Sequence, residues 1–411
     1  MSNGPAGRLG VRFTVGATNA TPSTNRTVII EWTDGLKSRY HFIWLRQQLF
    51  HPAFGHAHSS NPDIPRLPDD PYSLKIKNCT IDGNDLVVNW VNNDEQTRHD
   101  LTWLRNNAYD GELLRRRLHQ PHYWTGKQAN RFSWHDYDTF KSKEDLRWSL
   151  YEGLVDKGFV RIRRVPVINE SVRELAQWFG PLRTTDFGDI SDIKSRPTKK
   201  AGRYANIGAG GSQVLGPHTD EGWRYSPPGI NFHVCLESTP SAGGESRLYD
   251  GFLAAERLRN VDPDSFDFLA NTPMRFAAER NDEERYYAHG RLITTDSRGH
   301  ITGVRFSDRT LGHQDLPSDL VEPAYQALRA FAKQLYSDDL VYRHSLIPGE
   351  CHIFDNHRVL HGRAAFNQQM GPRHIQQASV DREEFHNRIR LLARKHQSAL
   401  ETVIFANGAL G

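Results

Sequence analysis

Cysteine is scarce in this chain. Cys79, Cys235 and Cys351 are the full complement of 411 residues. They are odd in number and far apart, so no disulfide framework is encoded and a reducing compartment, the cytoplasm, is expected. Long hydrophobic runs are missing as well. No stretch reaches the roughly 18 apolar residues that a membrane helix requires, and the N-terminus lacks the apolar centre of a secretory signal. No membrane association is expected. Acids are absent before Glu31, while Arg8, Arg12 and Arg26 stand among Ser and Thr. That composition fits a mitochondrial transit peptide, and equally a flexible lead into the strand-like TVIIEW. An excess of one charge sign is also lacking: the formal charge is +3, which implies no nucleic acid or other polyanionic partner. The basic run LLRRRLHQ (113–120) has no aromatic platform beside it and reads as a solvated helix face. No internal repeat and no long low-complexity segment stands out.

What is present reads as two parts. Up to residue 120, the strand-like runs TVIIEW (27–32), YSLKIKNCTI (72–81) and DLVVNWV (85–91) alternate with Gly, Pro and Asp-rich turns. NPDIPRLPDDPY (61–72) is a loop, and 117–135 is linker-like. The second part, 121–411, opens with two helices. SKEDLRWSLYEGLVDKG (142–158) has Ser142 and Asp145 at capping-box spacing, Leu146, Leu150 and Leu154 on one stripe, and Gly158 as terminator. NESVRELAQWFG (169–180) puts Val172, Leu175, Ala176 and Phe179 on one face, with the strand FVRIRRVPV (159–167) between the two helices. Past residue 200 strands dominate: INFHVCLES (230–238), SRLYDG (246–251), a hairpin of RLITTD and HITGVRF, and ECHIFDN (350–356). A further helix over 318–336 turns Ala324, Leu328, Phe331 and Leu335 inward. Many short strands with grouped helices predict a mainly β fold, a jelly roll with helical additions, behind a small N-terminal α+β domain (1–120).

GPHTDEGWRYSPP (216–228) holds an imidazole and a carboxylate two residues apart, His218 and Asp220. In an extended segment both face one way and reach one point. A metal needs that, and so does a simple hydrogen-bonded pair. A third ligand is needed to decide. Of twenty histidines, His361 stands out in PGECHIFDNHRVLHGRAAF (348–366), where Gly362 lets another backbone come close. Arg373 follows twelve residues later. Two histidines and a carboxylate on one face leave three coordination positions open, the facial triad of non-haem Fe(II) oxygenases. The open positions suit a bidentate 2-oxo acid and then O₂.

HTDEGWRYSPPG, GGESRLYDGF (243–252) and FDNHRVLHGR (354–363), in that order, resemble the γ-butyrobetaine and trimethyllysine hydroxylase family. WTDGLKSRYHFIWLR (32–46) is similar to that family's N-terminal domain and FGPLR (179–183) to its catalytic domain. The resemblance implies an Fe(II)- and 2-oxoglutarate-dependent oxygenase with a double-stranded β-helix (jelly-roll) catalytic domain, acting as a homodimer. It implies His218, Asp220 and His361 as iron ligands, and Arg373 on the distal carboxylate of 2-oxoglutarate, where a planar guanidinium makes a bidentate contact. Ser246 and Asn206 would assist at the cofactor. The reaction would consume 2-oxoglutarate and O₂, release succinate and CO₂, and oxidise an unactivated C–H by hydroxylation, desaturation or ring closure.

The family pattern breaks in two places. Its N-terminal zinc site uses three cysteines after WLR and a later histidine; here QQLFHPAFGHAH follows, with Leu49, His51 and Phe54 at those positions. Thiolates supply much of such a site's affinity, so no zinc is expected, His51, His56, His58 and His99 notwithstanding. The family's aromatic cage for trimethylammonium falls near Phe187, Ser191, Ala209 or Gly210, and Ser379, and one ring holds a quaternary ammonium poorly. The expected substrate is therefore a small amino acid or related carboxylate. In GVRFSDRTLG (303–312), read as an alternating strand, Arg305, Ser307 and Arg309 share a face. One of these arginines would grip the substrate carboxylate, with Phe187, Trp223 and Tyr225 packing its apolar part. Three other readings stand beside this one: a carnitine-pathway hydroxylase with a different cage, a zinc-dependent hydrolase, and a non-enzymatic sensor. A hydrolase has no use for the Arg373 anchor, and a sensor has none for an intact triad.

Overall fold

The computed structural model describes residues 16–47, 68–91, 95–194, 213–239, 243–280, 284–367, 369–396 and 403. The chain divides into two compact units, one of residues 1–119 with 393–404, the other of 120–392 with 405–411.

The first unit contains a duplication. Strands β1 (Ala17–Ser23), β2 (Thr27–Trp32) and β3 (Lys37–His41) form an antiparallel sheet that runs into helix α1 (Phe42–Gln47). Strands β4 (Ile76–Asp82), β5 (Asp85–Trp90) and β6 (Gln96–Asp100) form a second, leading into α2 (Leu101–Asn106). The expectation of no repeat is corrected by this pairing. SRYHFIWLR (38–46) and TRHDLTWLR (97–105) occupy the same place in the two halves. Trp32 Nε1 donates to Ser38 Oγ and Trp90 Nε1 to Thr97 Oγ1, each at 2.9 Å. Trp44 and Trp103 stack with ring centroids 5.4 Å apart. Val28, Ile30, Leu45, Leu86, Val88 and Leu104 fill the shared core. His99 is the counterpart of Tyr40, buried and 3.0 Å from Thr97 Oγ1, and burial holds its pKa down at about 4. Leu49, His51, Phe54, His56 and His58 lie outside the described residues. The basic run is helix α3 (Gly111–Arg117), where Arg115 and Arg116 pair with Glu112 on an exposed face.

The second unit is a sandwich of two sheets. The larger has the order β7 (Trp134–Asp136), β8 (Phe159–Arg163), β18 (Cys351–Asp355), β11 (Ile230–Glu237), β20 (His374–Val380), β9 (Ile190–Lys194). The smaller has the order β10 (Leu215–His218), β19 (Val359–Arg363), β12 (Ser246–Asp250), β17 (Val341–His344). This is the expected jelly roll. Phe159 and Phe354 of the larger sheet pack with Leu248, Tyr342 and Val359 of the smaller. Helices α6 (Trp148–Lys157), α7 (Ser171–Gln177) and α11 (Arg382–Lys395) cover the outer face of the larger sheet, where Tyr151, Phe179, Phe232 and Phe385 interlock edge to face. Helices α8 (Gly251–Val261), α9 (Pro263–Asn271) and α10 (Ser318–Leu335) pack together through Leu258, Leu269 and Phe331. The hairpins β13 (Met274–Arg280)/β14 (Glu284–Gly290) and β15 (Ile293–Thr295)/β16 (Ile301–Val304) complete the unit.

Two local readings are corrected. The 142–158 segment begins as a 3₁₀ turn over Glu144–Arg147 with Lys143 at its N-cap, so Ser142 does not cap it but ends the preceding helix, and Leu146 is exposed. Gly158 does end α6 in the left-handed conformation, at φ 68°. The supposed linker holds a fully buried Trp124, whose backbone N–H reaches Asp250 Oδ2 at 3.0 Å and whose indole reaches the Lys157 carbonyl at 2.7 Å. It also holds helix α4 (Gly126–Ala129), capped where Gln128 accepts from the Thr125 N–H at 2.8 Å. Helix α5 (Tyr137–Lys141) follows directly on β7. Among the described residues no helix is long and apolar enough to cross a membrane.

Candidate metal centre

β10 and β19 run antiparallel with Leu215 opposite Arg363 and His218 opposite His361. The four residues 215–218 on one strand thus face the three residues 361–363 on the other, a bulge at Gly216-Pro217. Proline has no N–H for the ladder, so an interruption belongs there. The bulge sets His218 directly across from His361, with ring centroids 4.1 Å apart. It also frees the Gly216 carbonyl, which lies 2.9 Å from His218 Nδ1. A carbonyl only accepts, so Nδ1 carries the proton and Nε2 is left with its lone pair. Gly362 makes the crossing possible: a Cβ there would sit 2.6 Å from the Leu215 carbonyl oxygen.

Asp220 leaves the strand end beside this pair. Its backbone N–H donates to Asn356 Oδ1 at 2.7 Å, and Asn356 Nδ2 returns bonds to the Asp220 and Pro228 carbonyls at 3.1 and 3.0 Å. The carboxylate is divided in its duties. Oδ2 accepts from Asn231 Nδ2 and from Gln377 Nε2, both at 2.8 Å. Oδ1 faces the two imidazoles, 3.6 Å from His218 Nε2 and 3.5 Å from His361 Nε2. The three ligand atoms lie within 4.8 Å of one another, a set able to hold one metal ion. Burial alone would raise the Asp220 carboxyl; His361 and the hydrogen bond and charge of His218 outweigh it and carry it well below the usual range. Burial also keeps His361 far below the ordinary histidine value. An ionised carboxylate with neutral imidazoles is the state that a divalent metal binds.

The triad opens on a cavity also lined by Arg373, Ser246, Arg363, Arg309, Phe187 and Trp223. Arg373 is half-buried, and no described carboxylate pairs with it. Burial, and then Arg363, pull its pKa down to about 10. Polar atoms on the same wall are left unsatisfied: His233 Nε2, His352 Nε2 and Thr310 Oγ1 are buried without hydrogen-bond partners. A half-buried guanidinium beside unpartnered polar atoms is what a site completed by an anionic ligand looks like. Arg363 shares a face with His361 across Gly362, and its Nη2 donates to the Gln213 carbonyl at 3.1 Å.

Two expected site residues are not in the cavity. Tyr225 is 80% exposed and Arg305 does not line the wall. The cause lies in 303–312, which is no alternating strand. β16 ends at Val304, and a turn follows with the Thr310 and Leu311 N–H groups both returning to the Ser307 carbonyl. The turn sends Ser307, Arg309 and Thr310 to the cavity and leaves Arg305 packed over the Phe276 ring, 5.3 Å away, with its own pKa lowered by burial to about 10. Ser191 lines the cavity and Ser379 does not; Asn206, Ala209 and Gly210 lie outside the described residues. Sequence reasoning missed Asn231, Asn356, Gln377 and His233. Only the alternation of INFHVCLES, which puts Asn231 and His233 on one face, offered a signal.

A sequence model described as "Taurine catabolism dioxygenase TauD, TfdA family" matches residues 116–379. The chain is 29% identical over 372 residues to the γ-butyrobetaine dioxygenase of Pseudomonas sp. (strain AK-1), covering 89% of this chain and 94% of that one. It is 26% identical over 409 residues to the trimethyllysine dioxygenase of Meyerozyma guilliermondii, covering 92% and 96%. A solved asparagine oxygenase in complex with Fe(II), 2S,3S-3-hydroxyasparagine and succinate aligns with TM-score 0.46 and 17% identity over 68% of this chain and 88% of that one.

Proposed function

The chain belongs to the TauD, TfdA dioxygenase family, and from that premise we propose which residues serve its Fe(II)- and 2-oxoglutarate-dependent oxidation and what they oxidise. His218, Asp220 and His361 hold Fe(II) through Nε2, Oδ1 and Nε2. Arg373 pairs with the distal carboxylate of 2-oxoglutarate and Ser246 adds its hydroxyl. The bound iron, with 2-oxoglutarate and O₂, supplies oxidation of an unactivated C–H. The protein's part is placement and exclusion of water. The substrate is a small amino acid or related carboxylate. Arg309, with Ser307 and Thr310 beside it, takes its carboxylate, while Phe187 and Trp223 pack its apolar part. The Arg305 and Tyr225 roles expected from sequence are withdrawn, since neither residue lines the cavity. We extend the reading to a homodimer, as the family resemblance implies, to be checked by sedimentation.

One observation carries the assignment: three ligand atoms within 4.8 Å share a cavity with a half-buried arginine that has no described carboxylate partner. A hydrolase has no need of that cation. Anaerobic Fe(II) plus 2-oxoglutarate should give a visible charge-transfer band in the native protein. His218→Ala and His361→Ala should each abolish the band and substrate-dependent succinate release, because a two-ligand site holds Fe(II) weakly. Near-normal succinate from either variant would remove the assignment.

A further inference from the structure

The cavity wall is sorted by charge. Arg309, Arg363 and Arg373 are near enough that Arg363 feels Arg309 and Arg373 feels Arg363. The carboxylates on the wall besides Asp220 are Glu221 and Glu279. Glu279, on β13, accepts from the Tyr287 hydroxyl and stands in the open. Glu221 is different. It follows Asp220 directly, its side chain is 11% exposed, and its backbone sits at φ 53°. A non-glycine residue in the left-handed region costs on the order of 1 kcal/mol or more and persists only where the surroundings impose it. The surroundings here are Arg224, whose Nε bonds Glu221 Oε2 while its Nη2 bonds Asp186 and its guanidinium lies 5.0 Å over the Tyr286 ring. Glu221 is thus clamped through one oxygen. Among the described residues no donor bonds its Oε1, and Glu221 lines the chamber.

We propose that Glu221 Oε1 accepts a hydrogen bond from a free ammonium group of the substrate, so that the site selects an amino acid with N–H donors over its quaternary betaine. This rests on the reading above. A protonated amine offers up to three donors and gains from a fixed carboxylate acceptor in a secluded site. A trimethylammonium group offers none and binds best to aromatic faces, of which this wall has Phe187 and Trp223. With the carboxylate at Arg309 and the ammonium at Glu221, the apolar part crosses the triad between two charged ends. Arg224 and Asp186 act as positioning residues for Glu221.

The test uses the full chain loaded with Fe(II) and 2-oxoglutarate. The probes are the free amino acids, branched-chain ones included, each paired with its N-trimethyl betaine and its 2-hydroxy acid, together with γ-butyrobetaine and trimethyllysine. The readout is stimulated succinate formation. The best free amino acid should exceed its own betaine and hydroxy acid at least ten-fold in kcat/KM. Glu221→Gln should raise the KM of that amino acid at least ten-fold and keep the anaerobic charge-transfer band. If no free amino acid outperforms both its own betaine and γ-butyrobetaine, or if Glu221→Gln loses the band or leaves that KM unchanged, the inference is overturned. Absence of the band from the native protein would instead remove the metal-site reading beneath it, so the two failures are told apart.

Discussion

At the scale of single residues, Asp220 shows how a ligand is made specific. Its two oxygens are chemically alike, and Asn231 and Gln377 make them different by occupying Oδ2. Oδ1 is then the oxygen left for the metal, and the carboxylate is held to one orientation. Gln377→Leu removes one of the two clamps. A hydrogen bond to a charged group is worth about 1.5–3 kcal/mol, so Fe(II) binding should weaken about ten-fold or more, measured by titration of the charge-transfer band. Unchanged affinity would mean that Asn231 suffices. Arg373 tests a different contribution. As it is the proposed anchor, its loss would break a charge-assisted contact of about 2–5 kcal/mol, so Arg373→Ala should raise the 2-oxoglutarate KM tens-fold or more. A normal KM would move the anchor to Arg363, which lines the same chamber.

At the scale of elements, the site is a product of one bulge and one glycine. The bulge at Gly216-Pro217 puts His218 across from His361, and Gly362 lets the strands approach. Gly362→Ala would thrust a Cβ to 2.6 Å from one backbone oxygen and 3.0 Å from the next, so the strands must part. Overpacking of this kind costs about 1–3 kcal/mol, and here it also separates two ligands. Thermal stability and Fe(II) affinity should fall together. Gly16→Ala, whose new Cβ would make ordinary contact with Thr33 at 3.7 Å, should change neither. NESVRELAQWFG was legible because burial on one helix face repeats at a fixed interval, and INFHVCLES and ECHIFDN were legible as short apolar runs buried along nearly their whole length. The 303–312 segment was not, because its alternation was the accident of a turn closed on Ser307.

At the scale of the whole molecule, each unit buries an imidazole in its neutral form. Burial lowers His99 and His357 from 6.5 to about 4. Between those values the unfolded chain takes up a proton that the folded one refuses, so acid favours unfolding. Stability is full above about pH 6.5 and falls as pH drops toward 4. A tenfold difference in proton affinity between folded and unfolded chain is worth about 1.4 kcal/mol, so each histidine contributes a loss of about 3 kcal/mol. Melting temperature followed from pH 7 to 4 should fall steadily through this window. His99→Gln should flatten the part that belongs to the first unit, and an unaltered profile would refute the contribution of His99.

Residue type, order and spacing already single out His218, Asp220 and His361, because a metal demands particular donors, and the structure brings these three together. The sequence by itself also determined the periodic elements, and a careful alignment of SRYHFIWLR with TRHDLTWLR would have exposed the duplication. Only the tertiary structure decided which groups stand behind those donors. Asn231, Gln377 and Asn356 converge on Asp220 from three separate segments, and no local pattern encodes such a meeting. It likewise decided that Arg309 enters the cavity while Arg305 turns away, since a side chain's direction after Val304 depends on a turn whose closing hydrogen bonds carry no sequence period.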